Sequence, residues 1–199
     1  MLVPFTPTAP KSRLAGVMTT EERESFARAM LGDVLRVLQA SGHEPTILTD
    51  TALDDPPVPQ RIDDRSLSVA VNAALEPPIG VVMADLALLD SHAVDRVVGS
   101  PETVVIAPGR GGGTNMLVIR DSSFSVDYHG NSLEDHRRIA AAAELSMGEV
   151  DSFRLSTDID EPDDLVEVIL HGKGDTVTWL RDHGFRLATT AGRVRIERT

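Results

Sequence analysis

Two hydrophobic periods take turns along this sequence: short apolar runs, and longer stretches in which apolar residues recur at helical spacing. Met1 to Pro4 reads as a first strand, and Phe5 to Ala15, with Pro7 and Pro10, as irregular. Thr19 stands three residues before Glu22, the spacing of a capping box. Phe26, Met30, Leu31, Val34, Leu35 and Leu38 then fall on one helical face, and Gly42 closes that helix. Pro45 to Thr49 predicts a buried strand, Thr51 to Asp64 a polar, Pro-rich loop, and Leu67 to Leu75 a helix. Ile79 to Ala84 is the best central strand and ends on Asp85. A short helix over Ala93 to Val98 and a strand over Thr103 to Ala107 follow. A Gly-rich turn from Pro108 to Thr114 leads into a strand over Asn115 to Ile119. Ser132 to Ala143 predicts a helix, Ser152 to Leu155 a strand, and Asp158 to Asp164 an acidic turn before a helix reaching about Leu170. A helix over Thr176 to His183 and a hairpin over Phe185 to Ile196, turning near Gly192, complete the chain. Strands alternating with helices predict an α/β fold of three layers, a mostly parallel sheet covered on both faces, in one domain over residues 1–199.

Composition narrows the chemistry. With no cysteine among 199 residues, disulfides, thiolate metal sites and cysteine nucleophiles are excluded. The longest apolar runs are too short and too interrupted to cross a membrane, so a cytoplasmic protein is expected. A net charge of −12 argues against a nucleic-acid partner, which needs a basic surface. Lys11 and Lys173 are the only lysines, and acid excess with scarce lysine and few aromatics fits a protein hydrated in high salt.

Five segments are candidates for chemistry. Asp85 closes an apolar strand, and ligands of open α/β sheets gather at the carboxyl ends of strands. Asp158 and Asp160 point to one side of an extended segment and suit a shared divalent cation, although carboxylates before a helix also serve as caps. The loop Pro108 to Asn115, with Gly112, Gly113, Thr114 and Asn115, lets backbone N–H groups approach a phosphate; it is neither a Walker loop nor a dinucleotide fingerprint. Lys11 and Arg13 are a basic pair suited to a triphosphate. Gly130 and Ser132 precede a helix, where free N–H groups bind anions; Ser132 also reads as the N-cap. The histidines form no metal or triad pattern.

In order, Val3-Pro4-Phe5, Lys11 to Leu14, Met83 to Leu89, Pro108 to Leu117, Tyr128 to His136 and Asp158 to Leu165 resemble one family: the 2-phospho-L-lactate guanylyltransferases of coenzyme F-420 biosynthesis, in a haloarchaeal-type form. The resemblance spans nearly the whole chain. It implies a glycosyltransferase-A-like nucleotidyltransferase (nucleotide-diphospho-sugar transferase) fold and a homodimer. It also implies condensation of GTP with (2S)-2-phospholactate, giving lactyl-2-diphospho-5′-guanosine and pyrophosphate. By position it makes Asp85, Asp158 and Asp160 the ligands of Mg²⁺, with Mn²⁺ as the substitute. Thr114 and Ser132, with a backbone group near Gly130, would hold the phosphorylated acid, and Lys11 and Arg13 would face the triphosphate. Thr6 stands where many members carry lysine, Ala87 where proline is common, and His129-Gly130-Asn131-Ser132 departs from the usual Gly-x-Gly-Ser.

Two kinds of alternative remain at this point. One is an enzyme of the same fold acting on phosphoenolpyruvate, 3-phosphoglycerate or another small phospho-acid; sugar-phosphate and molybdopterin enzymes usually begin with a Gly-rich stretch that Pro4-Phe5-Thr6-Pro7 lacks. The other is an acidic nucleotide- or protein-binding domain without catalysis.

Overall fold

The computed structural model describes residues 1–190 and 192–199. Its main sheet has seven strands: β1 (Leu2–Phe5), β2 (Thr46–Thr49), β3 (Gln60–Ile62), β4 (Ile79–Val82), β5 (Val104–Pro108), β6 (Thr114–Ile119) and β7 (Met147–Glu149). They lie in the order β3-β2-β1-β4-β6-β5-β7. Every pairing is parallel except those of β6, which runs antiparallel to both β4 and β5. The helices are α1 (Thr20–Ala40), α2 (Leu67–Ala74), α3 (Ser91–Val98), α4 (Ser132–Ala142), α5 (Phe153–Ser156), α6 (Asp164–His171) and α7 (Asp175–Asp182). A two-stranded hairpin, β8 (Phe185–Thr190) and β9 (Arg193–Arg198), ends the chain, and Ala191 of the predicted hairpin lies outside the described residues. None of the helices is long and apolar enough to cross a membrane.

The strands bury both faces by simple alternation. Val3, Val82, Val105 and Val118 join one apolar cluster with Phe26, Met30 and Val34 of α1, Val94 of α3 and Leu165 of α6. Their neighbours Leu2, Val81, Val104 and Ile119 join the other cluster with Val71 of α2 and Ala140 of α4. Runs without polar breaks are what a sheet covered on both faces requires, and they produce the three layers.

Helix α1 starts where its sequence says. The Thr19 hydroxyl accepts from the Glu22 backbone N–H at 3.2 Å, and the Glu22 carboxylate accepts from the Thr19 N–H at 2.8 Å, a cap worth about 1 kcal/mol. A second cap joins two helices. Asp33, buried in α1, accepts from the N–H groups of Asp175 and Thr176 at 2.8 and 2.9 Å and from the Thr176 hydroxyl at 2.6 Å. Its charge lies at the positive end of α7 and fixes that helix against α1.

Two expectations are corrected, and one strand is new. Ser152 to Leu155 is not a strand. The Ser152 carbonyl accepts from the N–H groups of Leu155 and Ser156, closing the one-turn helix α5, and only Leu155 is fully buried while Phe153 is exposed. A run this short carries no period that separates strand from helix. The loop Thr51 to Asp64 contains β3, which exists through its pairing with β2 and through the Gln60 side chain bonding both backbone groups of Leu53. Met147 to Glu149 has no strand composition and becomes β7 by pairing with β5.

His136, on the inner face of α4, is fully buried. Desolvation holds its imidazole down to about 4, with Asp127 and Asp135 opposing that shift. The unfolded chain therefore takes up a proton near 6.5 that the folded protein refuses until about pH 4. Stability is expected to fall as pH drops through this window. His136→Phe should flatten that part of a urea-unfolding profile against pH, while lowering stability at pH 7 by orphaning the Asp127 N–H that bonds the ring. An unchanged slope would count against a buried neutral ring.

Candidate active site

Because β6 alone runs backwards, its first residues lie at the same sheet edge as the carboxyl ends of β1, β4, β5 and β7. Four of the five candidate segments lie beyond the strands at this edge, and the fifth, Gly130 to Ser132, is brought to it by the start of α4. Lys11 and Arg13 follow β1, Asp85 follows β4, the Gly-rich loop joins β5 to β6, and Asp158 and Asp160 follow β7 and α5. β4 ends at Val82, so Asp85 sits in the turn beyond the strand.

Lys11 holds the centre. Its ammonium donates to Asp85 Oδ2 at 2.5 Å and to Asp160 Oδ1 at 2.8 Å. Burial works against its charge, but the two carboxylates outweigh burial and raise its pKa above the ordinary lysine value. Arg13, largely exposed in a 3-10 turn over Ser12–Gly16, reaches Asp160 Oδ2 at 3.4 Å. The backbone of Lys11 is left-handed, at φ 54° and ψ 47°, a conformation a side chain disfavours. Arg23 stabilises this loop. Buried in the first turns of α1, it donates to the carbonyls of Pro10 and Met18 at 3.1 and 3.2 Å and to the Thr20 hydroxyl at 3.2 Å. It thus clamps both ends of the segment carrying Lys11 and Arg13. Sequence reading misses it, because an arginine in an amphipathic helix looks like a solvated one.

The acidic turn is fixed from three directions. The Ile159 N–H donates to the Asp85 carbonyl at 3.2 Å. Asp164 Oδ2 accepts from the N–H groups of Asp160 and Glu161 at 3.0 and 2.8 Å, while its Oδ1 accepts from Arg110 at 2.5 Å. Asn115 donates to the Leu155 carbonyl at 2.8 Å and to Asp158 Oδ1 at 3.2 Å, so its amide orients Asp158. Burial raises the Asp158 carboxyl above its usual value; the Asn115 amide opposes this, and nearby Asp85 and Asp160 add to it. A cleft of about 640 Å³ lies over Phe5, Thr6, Lys11, Met30, Asp85 and Asp160. A second cleft of about 660 Å³ reaches from Arg13 and Arg110 to Asp158 and Asp160, so Asp160 borders both.

Thr114 and Ser132 form a separate buried pair. Their hydroxyls lie 3.3 Å apart, and His136 Nδ1 is 2.9 Å from Thr114 Oγ1. Asn131, not Ser132, is the N-cap of α4, with its side chain accepting from the Glu134 N–H at 3.4 Å. The Leu133 N–H donates to the Gly112 carbonyl at 3.0 Å, so the start of α4 is tied to the Gly-rich loop. Gly112 has φ +85°, and a Cβ there would lie 2.8 Å from Asn131 Oδ1. The Gly113 carbonyl accepts from the Gly109 N–H at 2.9 Å, closing the loop. Gly130 is an exposed turn residue at φ +62°. The sequence candidates thus fall into a charged group (Lys11, Arg13, Asp85, Asp158 and Asp160) and a hydroxyl pair, joined through adjacent Thr114 and Asn115. His136, Asn131, Arg23 and Arg110 are additions from the structure.

Comparison with known proteins bears on this arrangement. The chain is 52% identical over 200 residues to a protein named 2-phospho-L-lactate guanylyltransferase from Natronomonas pharaonis, covering all of this chain and 98% of that protein. A protein of the same name from Methanosphaerula palustris is 44% identical over 202 residues, covering all of this chain and 97% of the other. Among solved structures, one from Desulfovibrio desulfuricans G20, provisionally described as a nucleotide-diphospho-sugar transferase, superposes with a TM-score of 0.74 at 15% identity, covering 92% of this chain and 93% of that one. A nucleotidyl transferase from Methanothermobacter has a TM-score of 0.57 at 13% identity, covering 91% and 97%. These likenesses establish the nucleotidyltransferase fold. Residues 1–199 match the family described as "Guanylyl transferase CofC like", and the chain belongs to that family.

Proposed function

We propose that the protein transfers the guanylyl group of GTP to the phosphate of (2S)-2-phospholactate, forming lactyl-2-diphospho-5′-guanosine and releasing pyrophosphate. The observation that carries this reading is the convergence, at one sheet edge, of Lys11, Arg13 and three carboxylates beside a buried hydroxyl pair. Whole-chain identity to proteins named for this reaction supports it.

The acceptor phosphate is anionic at neutral pH, so attack on the α-phosphorus needs no general base. The difficulty is bringing two anions together, which makes positioning and positive charge the main contributions. Lys11 and Arg13 offset charge on the triphosphate and on the departing pyrophosphate. Thr114 and Ser132 bind the phosphorylated acid through their hydroxyls, and Asn115 keeps Asp158 oriented.

A divalent cation fits the carboxylates. Asp85 Oδ1 is buried with no hydrogen-bond partner among the described residues, and Asp158 is held near two like charges. No three carboxylate or histidine groups among the described residues converge as a ready cage. That suits Mg²⁺, which takes one or two carboxylates and completes its shell with water and substrate phosphates. Its one or two protein ligands would come from among Asp85, Asp158 and Asp160, with Mn²⁺ as the substitute. When bound, it supplies charge neutralisation to the phosphates.

The reading extends to a homodimer working in high salt, from the family resemblance and the net charge of −12. Sedimentation at the monomer mass would refute the dimer. Raising KCl from about 0.1 M to about 1 M shortens the screening length from about 10 Å to about 3 Å. The thermal midpoint is expected to rise over that range, and a falling midpoint would oppose salt adaptation.

Asp85→Asn is expected to lower turnover by about 100-fold or more, as loss of a charge-stabilising group does, while far-UV dichroism stays unchanged. Pyrophosphate release should be measured for four nucleotides against phospholactate, phosphoenolpyruvate and 3-phosphoglycerate. Near-normal turnover by the variant sinks the role of Asp85, and a better rate with another acid replaces phospholactate.

A further inference from the structure

We propose that His136 is a positioning residue for the acceptor-binding hydroxyls: its fixed tautomer leaves the Thr114 hydroxyl proton free for an anionic oxygen of the phosphorylated acid. The proposal rests on the reading that Thr114 and Ser132 hold that acid.

His136 stands four residues after Ser132 on α4, so both side chains lie on one helical face. The backbone N–H of Asp127 lies 3.0 Å from His136 Nε2. A backbone N–H only donates, so Nε2 must present its lone pair. The neutral ring then carries its proton on Nδ1, which lies 2.9 Å from Thr114 Oγ1 and donates to it. A protonated ring would set two N–H groups against each other at Nε2. Burial of the ring also disfavours its charged form.

The consequence falls on Thr114. A hydroxyl has two lone pairs and one proton. His136 Nδ1–H occupies one lone pair, and the Ser132 hydroxyl, 3.3 Å away, faces the same oxygen as a donor through a long bond that it can exchange for an anionic oxygen of the acid. Among the described residues no acceptor takes the Thr114 proton. A hydroxyl so arranged is a donor seeking an acceptor, which is what an anion offers. Were Nε2 to carry the proton instead, Thr114 would have to donate to Nδ1 and would meet an anion with lone pairs. The ring cannot readily turn. Tyr128 packs edge-on with centroids 5.2 Å apart, and Phe124 packs at 5.9 Å. His136 touches none of the three aspartates through a hydrogen bond, so its effect is on acceptor binding and passes through Thr114.

The test joins a spectroscopic readout to a kinetic one on the full chain. In ¹⁵N-histidine spectra, His136 is identified by the signal missing from His136→Asn. It should show a protonated Nδ1 and an unprotonated Nε2, unchanged between pH 7 and 5.5. An Nε2-protonated ring overturns the proposal. His136→Phe removes the donor and is expected to raise KM for phospholactate about tenfold or more, the loss typical of a weakened hydrogen bond to a charged oxygen. KM for GTP should stay within about twofold. His136→Asn places a carboxamide N–H where Nδ1 stood and should recover most of the acid affinity. An unmoved acid KM in both variants, or equal loss toward both substrates, reduces His136 to a packing residue and overturns the proposal. If His136→Phe fails to fold, the ring spectrum and the Asn variant decide. Absence of turnover by the wild-type protein refutes the phospholactate reading and the ligand named here with it. Turnover with an unmoved acid KM refutes only the role of His136.

Discussion

Because β6 runs antiparallel between β4 and β5, the start of one strand meets the ends of its neighbours, and the site follows from that reversal. A wholly parallel sheet would place Thr114 and Asn115 at the opposite edge, a strand length from Asp85. The reversal also makes the β5–β6 connection a hairpin, short enough to be built from glycine. That hairpin then bonds in two directions, through Gly112 to α4 and through Arg110 to the acidic turn. One topological choice thus brings the hydroxyl pair and the aspartates to a common edge.

Charge is the second constraint. Asp85, Asp158 and Asp160 repel one another, and burial makes that repulsion more expensive. Lys11 offsets part of it with a largely buried ammonium between two of them, and a left-handed backbone held by Arg23 delivers it there. A raised Asp158 carboxyl and an Asp85 oxygen without a partner among the described residues are what remains uncompensated. In an enzyme that must accept a triphosphate and a phospho-acid, such unmet demand for cations is a functional reserve. The same logic makes the hydroxyl site neutral. A buried imidazole kept uncharged can orient Thr114 without drawing either anion to itself.

Much of this was legible beforehand. Capping-box spacing located α1, apolar runs located the central strands, and an aspartate after an apolar strand pointed to the edge where the candidate residues gather. Resemblance along the chain selected the same charged residues and the hydroxyl pair. Where reading failed, the missing cause was long-range. Met147 to Glu149 is a strand because β5 offers it an edge, and Leu155 turns in a helix whose carbonyl meets Asn115 across the site. Asn131 takes the N-cap that Ser132 could have filled, which frees the serine hydroxyl for Thr114.

By itself the sequence determined what short-range rules can determine: an α/β alternation, a cysteine-free oxygen chemistry, an acidic surface, and the residues from which a site would be made. Period and composition act through neighbours along the chain, so they could be read without a fold. Tertiary structure decided partners. That Lys11 lies between Asp85 and Asp160, that Arg23 holds its loop, and that His136 has its tautomer set by Asp127 depend on groups far apart in sequence or on a ring's orientation within the core. Hydrogen bonds and ion pairs act over a few ångströms of space, and only the folded chain fixes which groups come within them.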